Sequence, residues 1–153
     1  MIANISTTLE STDENLWEVI TKPKSLLYVC SPVLSFTLKE PGILDSRWEV
    51  RKKYAFKIRL FKIVPLGSHT IEILSIDKEN NTIVSNESGT MASVWNHTIT
   101  FSMTDQNSLN YLDQIEIKAG LLTFSVWAFS HMFYRHRQRR WKKLLKNERL
   151  KKA

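Results

Sequence analysis

The sequence predicts an α+β domain in which a curved antiparallel sheet of about six to seven strands wraps around one long C-terminal helix, with two short helices after the first strand. Three observations predict it. Alternation of apolar and polar residues, the period of a half-buried strand, recurs from Val33 to Lys118 in six runs separated by turn signals. Two short segments of helical spacing lie between the first strand-like run and those six. After Gly120 the chain contains neither proline nor glycine, and its apolar residues, then its charged ones, follow helical spacing without a break. An antiparallel sheet needs one face covered, and this last segment alone is long and apolar enough to cover it.

Each element has its own signal. Ile2 to Leu9 alternates and reads as the first strand. Thr12-Asp13-Glu14-Asn15 caps a short helix through Ile20, with acids in the first turn where the helix dipole favours them. Pro23 restarts the chain, and Lys24 to Cys30 forms a second short helix that closes before Pro32. The strands then run Val33 to Lys39, Arg47 to Lys62, Ser68 to Ile76, Thr82 to Ser88, Ala92 to Met103 and Leu109 to Lys118. They break at Pro41-Gly42, Pro65-Leu66-Gly67, Asp77 to Asn81, the lone Gly89, and Asp105 to Ser108. The closing helix is expected to be buried over its first half, Leu121 to Tyr134, and solvated over its second.

The 153 residues read as a single domain, 1–153, with a basic helical extension at 135–153. That extension holds ten Lys or Arg against Glu148, a charge of +9 within a chain of net +7, so the preceding 134 residues sum to −2. Any attraction to anionic lipid or nucleic acid is therefore a property of Arg135 to Lys152, and it is expected to be weak and without sequence preference. A lone cysteine, Cys30, excludes an intramolecular disulfide and a Cys-rich metal site, and fits a reducing compartment. The start, Met1 to Ser6, lacks the basic and apolar regions of a signal peptide, so the cytoplasm is the expected location. Leu121 to Tyr134 is fourteen residues long and interrupted by Thr123, Ser125, Ser130 and His131, too short for a membrane span.

Parity along the strands places polar groups inside. On the strand from Ala92, His97 shares a face with Trp95, Ile99, Phe101 and Met103; on the next, Asp113 shares one with Tyr111, Ile115 and Ile117. If these two strands form a hairpin, His97 and Asp113 are neighbours across it, and pairing offsets the cost of burying either. His69 has the parity of Ile71 and Ile73, and Glu87 that of Ile83, with Gly89 as a candidate bulge. The four polar groups can orient a ligand or move protons, or they can simply fix strand register. No compact metal-ligand spacing, phosphate-binding glycine loop or nucleophile motif accompanies them, so neither a metal nor a cofactor is expected.

The element order, with Leu16 to Ile20 on the first helix, resembles the SRPBCC superfamily: the START-like, helix-grip fold of polyketide cyclases, aromatase-type domains and lipid-transfer proteins. Gly89, Trp95-Asn96-His97, Phe101 and Tyr111-Leu112-Asp113 look like the pattern of a bacterial branch of small ligand-binding members, as do Pro65 to His69 and Arg135-His136-Arg137. The resemblance implies a cavity between sheet and C-terminal helix that takes a small, largely apolar ligand, lipid-like or polyketide-like, with no catalysis required. Its walls would include Tyr54, Phe56, Ile58, His69, Ile71, Glu87, Trp95, His97, Phe101, Tyr111 and Asp113 from the strands, with Trp48 and Val50 beside them. The helix offers two ridges, Leu121, Phe124, Ala128 and Met132, and Leu122, Val126, Phe129 and Phe133; Phe124, Ala128, Phe129 and Met132 are the expected contacts. One rival expectation is a cyclase- or dehydratase-type enzyme with His97 and Asp113 as its acid/base pair. A second is association with an anionic surface through the basic helix end. The pattern specifies no oligomeric state.

Overall fold

The computed structural model describes residues 1–38 and 41–152. Seven strands form one antiparallel sheet in the order β1-β7-β6-β5-β4-β3-β2: β1 is Ile2–Leu9, β2 Leu34–Leu38, β3 Lys53–Leu60, β4 Val64–Asp77, β5 Thr82–Gly89, β6 Val94–Asp105 and β7 Ser108–Lys118. Two helices follow β1, α1 (Asp13–Ile20) and α2 (Pro23–Cys30), and the 30-residue α3 (Thr123–Lys152) closes the chain. Thr12 caps α1 by accepting from the Asn15 N–H at 3.3 Å, and Pro23 occupies the first turn of α2, where its missing N–H costs nothing. The predicted end of β2 at Lys39 lies outside the described residues.

Two strand boundaries differ from the sequence reading. Arg47 to Lys52 alternates like the strand that follows, yet β3 begins at Lys53. Tertiary bonds divert this segment: the Trp48 N–H donates to Thr21 O at 2.8 Å, Arg47 Nη1 donates to Thr21 Oγ1 at 2.7 Å, and Arg51 turns at a φ of 65°. Nor does the chain reverse at Pro65-Leu66-Gly67. It turns at Phe61 and Lys62, with φ of 49° and 65°, and these three residues lie within β4. A register shift opposite Ile58 and Arg59 leaves Leu66 without a cross-strand partner, and a bulge is a place where a sheet tolerates proline.

Gly89 is not a bulge. It pairs in register with His69, and a Cβ there would overlap Ser68 O and sit 3.0 Å from His69 Nδ1, so the close approach of β4 requires glycine. The irregularity of this strand pair falls between Ile73 and Ser75 instead. β5 and β6 pair over Thr82–Ser85 with His97–Thr100 and then part, which opens the sheet wall at the end where the β3–β4 and β5–β6 turns lie.

The burial of α3 divides by face rather than into the expected buried first half and solvated second half. Leu121 and Leu122, in the turn just before it, and Phe124 and Met132 on it are exposed, whereas Ser130, Phe133, Tyr134, Arg137, Gln138, Trp141 and Leu145 form the buried stripe. Within its first turns Val126, Trp127 and Phe129 are partly buried against the core, and the Trp127 Nε1 donates to Ile2 O at 2.9 Å. The later turns lie against β1 and α2, where Gln138 Nε2 donates to Ile5 O at 2.7 Å, Arg140 donates to Tyr28 O and stacks 3.8 Å from the Tyr28 ring, and His136 Nε2 donates to Ser31 O at 2.9 Å. Much of the basic segment is thus tied into the fold. A main core joins β1, β6, β7, α1, α2 and α3, and a smaller one gathers Tyr54, Phe56, Ile71 and Ile73 beneath Trp48, Leu27 and Leu38. Among the described residues no helix is long and apolar enough to cross a membrane.

Candidate ligand cavity and its polar wall

Between the concave sheet face, α2 and α3 lies a cavity of about 360 Å³, within the range of small-molecule sites. Strands supply Phe36, Ile58, Leu60, Leu66, Ser68, His69, Ile71, Glu87, Trp95 and His97; α2 supplies Leu26 and Cys30; α3 supplies Ser125, Val126, Phe129, Phe133, Tyr134 and Arg137. Leu34, Ala92, Leu122 and Met91 complete the lining, and exposed Met91, Leu122 and Ser125 mark its mouth. The same end of the molecule exposes Phe61, Ile63 and Val64 on the β3–β4 turn, because alternate hairpin turns of an antiparallel sheet fall at one edge.

Of the residues expected on the wall, Ile58, His69, Ile71, Glu87, Trp95, His97 and Phe129 line the cavity. Tyr54 and Phe56 do not; they fill the smaller core below it, the Tyr54 ring meeting Trp48 edge-on at 4.7 Å. Phe101 and Tyr111 belong to the main core, where Phe101 packs on Trp17 at 5.1 Å. Asp113, with no exposed surface, stands behind His97 rather than on the wall. Phe124, Ala128 and Met132 point outward, since it is the ridge of Leu122, Val126, Phe129 and Phe133 that faces the sheet. Val50 is exposed in the loop before β3.

Sequence parity missed Tyr134 and Arg137, both of which reach the cavity from α3. Arg137 looked like part of a solvated basic run. Its spacing was the available signal: Ser130, Phe133, Tyr134, Arg137, Gln138, Trp141 and Leu145 follow one face at three- and four-residue steps, so Arg137 lies on an apolar stripe.

The polar groups form a connected line. His69 Nε2 meets Glu87 Oε2 at 2.9 Å, and Ser85 Oγ donates to Glu87 Oε1 at 2.6 Å. His97 Nδ1 lies 3.9 Å from Glu87 Oε1, and its Nε2 meets Asp113 Oδ1 at 2.8 Å. His97 and Asp113 are diagonal rather than opposite, since His97 pairs with Ile115 and Ile99 with Asp113. Asp113 also accepts from the Tyr111 hydroxyl at 3.1 Å and from Gln138 Nε2 at 3.0 Å.

Burial alone would raise both carboxyl pKa values. For Asp113 the bond and charge of His97, the charge of Arg137 and the Gln138 amide prevail, and its pKa falls below the usual carboxylate value. For Glu87, His69 and then His97 and Ser85 do the same. Burial and the Asp113 charge push the Tyr111 hydroxyl well up, so it remains a donor. Burial likewise raises Tyr134, whose hydroxyl accepts from Trp95 Nε1 at 3.0 Å, and pushes the Cys30 thiol up to about 12, which leaves it unreactive at neutral pH. Arg137 is 5% exposed; its guanidinium lies 4.6 Å from the Tyr134 ring centre, and its buried Nε has no hydrogen-bond partner. Among the described residues no three His, Cys, Asp or Glu converge as metal ligands.

Solved structures share this architecture. Norcoclaurine synthase from Thalictrum flavum, solved as a point mutant with a transition-state analogue, superimposes with a TM-score of 0.70 at 11% identity, over 97% of this chain and 96% of its own. A structural-genomics protein from Chromobacterium violaceum gives 0.70 at 12% identity over 94% and 96%, and ginseng major latex-like protein 151 from Panax ginseng gives 0.65 at 11% over 94% and 95%. At such identities the likeness establishes the fold alone, the helix-grip fold. No curated protein matches the chain in sequence. A family pattern does, over residues 7–145, from within β1 to the last buried turn of α3, and the chain accordingly belongs to the family of the domain of unknown function DUF8410.

Proposed function

We propose that this protein binds a small, largely apolar ligand, lipid-like or polyketide-like, in the cavity between its sheet and α3, and that it needs no catalysis to do so. The observation that carries the reading is the cavity itself: about 360 Å³ walled mostly by aliphatic and aromatic side chains, with His69, Glu87, His97 and Arg137 as its ionisable groups. An unfilled apolar space costs stability, and a ligand that fills it returns the lost contacts. Acid/base chemistry at His97 and Asp113 has weaker support. Asp113 lies behind His97 with its oxygens engaged by three donors, and both His97 ring nitrogens face carboxylates. A cytoplasmic setting is consistent with the single buried cysteine.

Mass spectrometry of the natively purified protein, before and after denaturation, tests the reading by identifying small molecules it carries. Displacement of the neutral fluorophore N-phenyl-1-naphthylamine supplies a second measure. Val126→Trp, placed on the cavity wall, is expected to abolish both signals while retaining the fold by circular dichroism. Undiminished probe binding in that variant would show that the cavity is not the site.

A further inference from the structure

We infer that the ligand is a single-tailed amphiphile with a carboxylate head, and that Arg137 receives this head at the inner end of the cavity. The inference rests on the cavity-binding reading and adds the chemistry of the ligand. A guanidinium cannot shed its proton in a protein, so a buried arginine is a buried charge and is normally found paired. Arg137 is not paired in this way. Its ring neighbour Tyr134 offers a π-face, its Nε has no partner, and among the described residues no carboxylate comes within the 4.0 Å of an ion pair. The two nearby acids are already engaged, Asp113 by His97, Tyr111 and Gln138, and Glu87 by His69 and Ser85. One unpaired cation on the wall of an apolar cavity calls for one anionic charge from the ligand.

The geometry selects the head group. A carboxylate presents two oxygens in a plane to the parallel N–H groups of a guanidinium, whereas a second negative charge, as on a phosphate monoester, would enter the field of Glu87. It also sets the orientation. From Ser125 at the mouth to Arg137, α3 rises about 18 Å, and Val126, Phe129 and Phe133 line the way. The head therefore lies inside and the tail runs toward the mouth.

Displacement of N-phenyl-1-naphthylamine by decanoate and by 1-decanol, in the wild type and in Arg137→Met, tests this. Decanoate is expected to bind the wild type at least about tenfold more tightly than decanol, the range of a hydrogen bond to a charged group. In Arg137→Met that preference should vanish, through a loss of decanoate affinity larger than any change for decanol. Because the substitution removes an unpaired buried charge, the variant should fold; should it not, the wild-type comparison decides alone. Equal affinity of the two compounds for the wild type, or a decanoate preference that survives in Arg137→Met, overturns the inference and leaves the cavity reading intact. Displacement by neither compound overturns both.

Discussion

Replacing Asp113 with alanine tests whether the inner polar wall holds the fold together. Asp113 has no exposed surface and accepts from His97 at 2.8 Å, Tyr111 at 3.1 Å and Gln138 at 3.0 Å. Gln138 keeps its bond to Ile5 O in the variant, but the Tyr111 hydroxyl and His97 Nε2 lose their acceptor inside the core. Each stranded group costs about 1 to 3 kcal/mol, and breaking a buried pair by removing one partner costs about 3 to 5 kcal/mol in all. With a urea m-value of about 2 kcal/mol/M, the unfolding midpoint should fall by about 2 M. The pH dependence follows from the sign of the shift. Asp113 titrates lower in the folded protein than in the unfolded chain, where its pKa is about 3.9, so its contribution is complete above that value and is lost as pH falls through the depressed folded value. The cost of Asp113→Ala should accordingly shrink between pH 7 and pH 3. A destabilisation below about 1 kcal/mol, less than a single stranded group costs, or a cost identical at both pH values, would refute this account of Asp113.

Two further outcomes are expected. The Cys30 thiol is raised from about 9 to about 12 by burial, so the stability it confers is complete below pH 9 and is lost as pH climbs toward 12. Urea unfolding at pH 9 to 10, below the ordinary tyrosine range, should show a downward slope approaching about 1.4 kcal/mol per pH unit that Cys30→Ala removes; an unchanged slope would detach it from the thiol. For the basic helix end, we propose weak charge-driven contact with anionic surfaces through exposed Arg135, Arg139, Lys142, Lys143 and Lys146. Truncation is unsuitable, because Trp141 and Leu145 are core residues. The triple variant Lys142→Glu, Lys143→Glu, Lys146→Glu should lose low-salt binding to phosphatidylglycerol vesicles and to duplex DNA, and binding that persists in the variant or at high salt would show that charge is not its cause.

The parts of the fold legible in the sequence were those governed by local periodicity. Parity placed His69, Glu87, His97 and Asp113 on one side of the sheet because a two-residue period leaves each side chain two choices, and apolar neighbours chose for them. Boundaries failed where long-range contacts outweighed local pattern. Arg47 to Lys52 alternates like a strand, but the bonds of Arg47 and Trp48 run to Thr21 and the side chain of Glu18. Pro65 and Gly67 signal a turn, but their bulge accommodates both residues within β4. Tyr54, Phe56, Phe101 and Tyr111 have inward parity yet lie off the cavity, since parity gives a side chain's face but not its depth or its position along a curved sheet. Phe124 and Met132 were misplaced for another reason: mean apolarity makes Leu121 to Tyr134 look like the helix's buried half, whereas the face on which each residue stands decides its burial.

Arg137 shows how net charge and local structure can mislead together. As one of ten cations in nineteen residues it contributes to an apparent solvated tail, but the tail divides by face. Arg140 is spent on Tyr28 O and its ring, and Arg149 pairs with Glu10 at 3.4 Å. Arg137 is different because what it meets inside is an aromatic ring rather than an acid, while two acids nearby are each held by a histidine. A core selected for stability alone would pair the guanidinium with one of those carboxylates or replace it with an apolar side chain, since either removes the cost of a lone buried charge. Glu87 and Asp113 are instead hydrogen-bonded by imidazoles, and Arg137 acts on Asp113 through its charge without an ion pair. If the cavity takes the ligand proposed above, changes in the histidine–carboxylate line should alter binding most for ligands that carry a negative head.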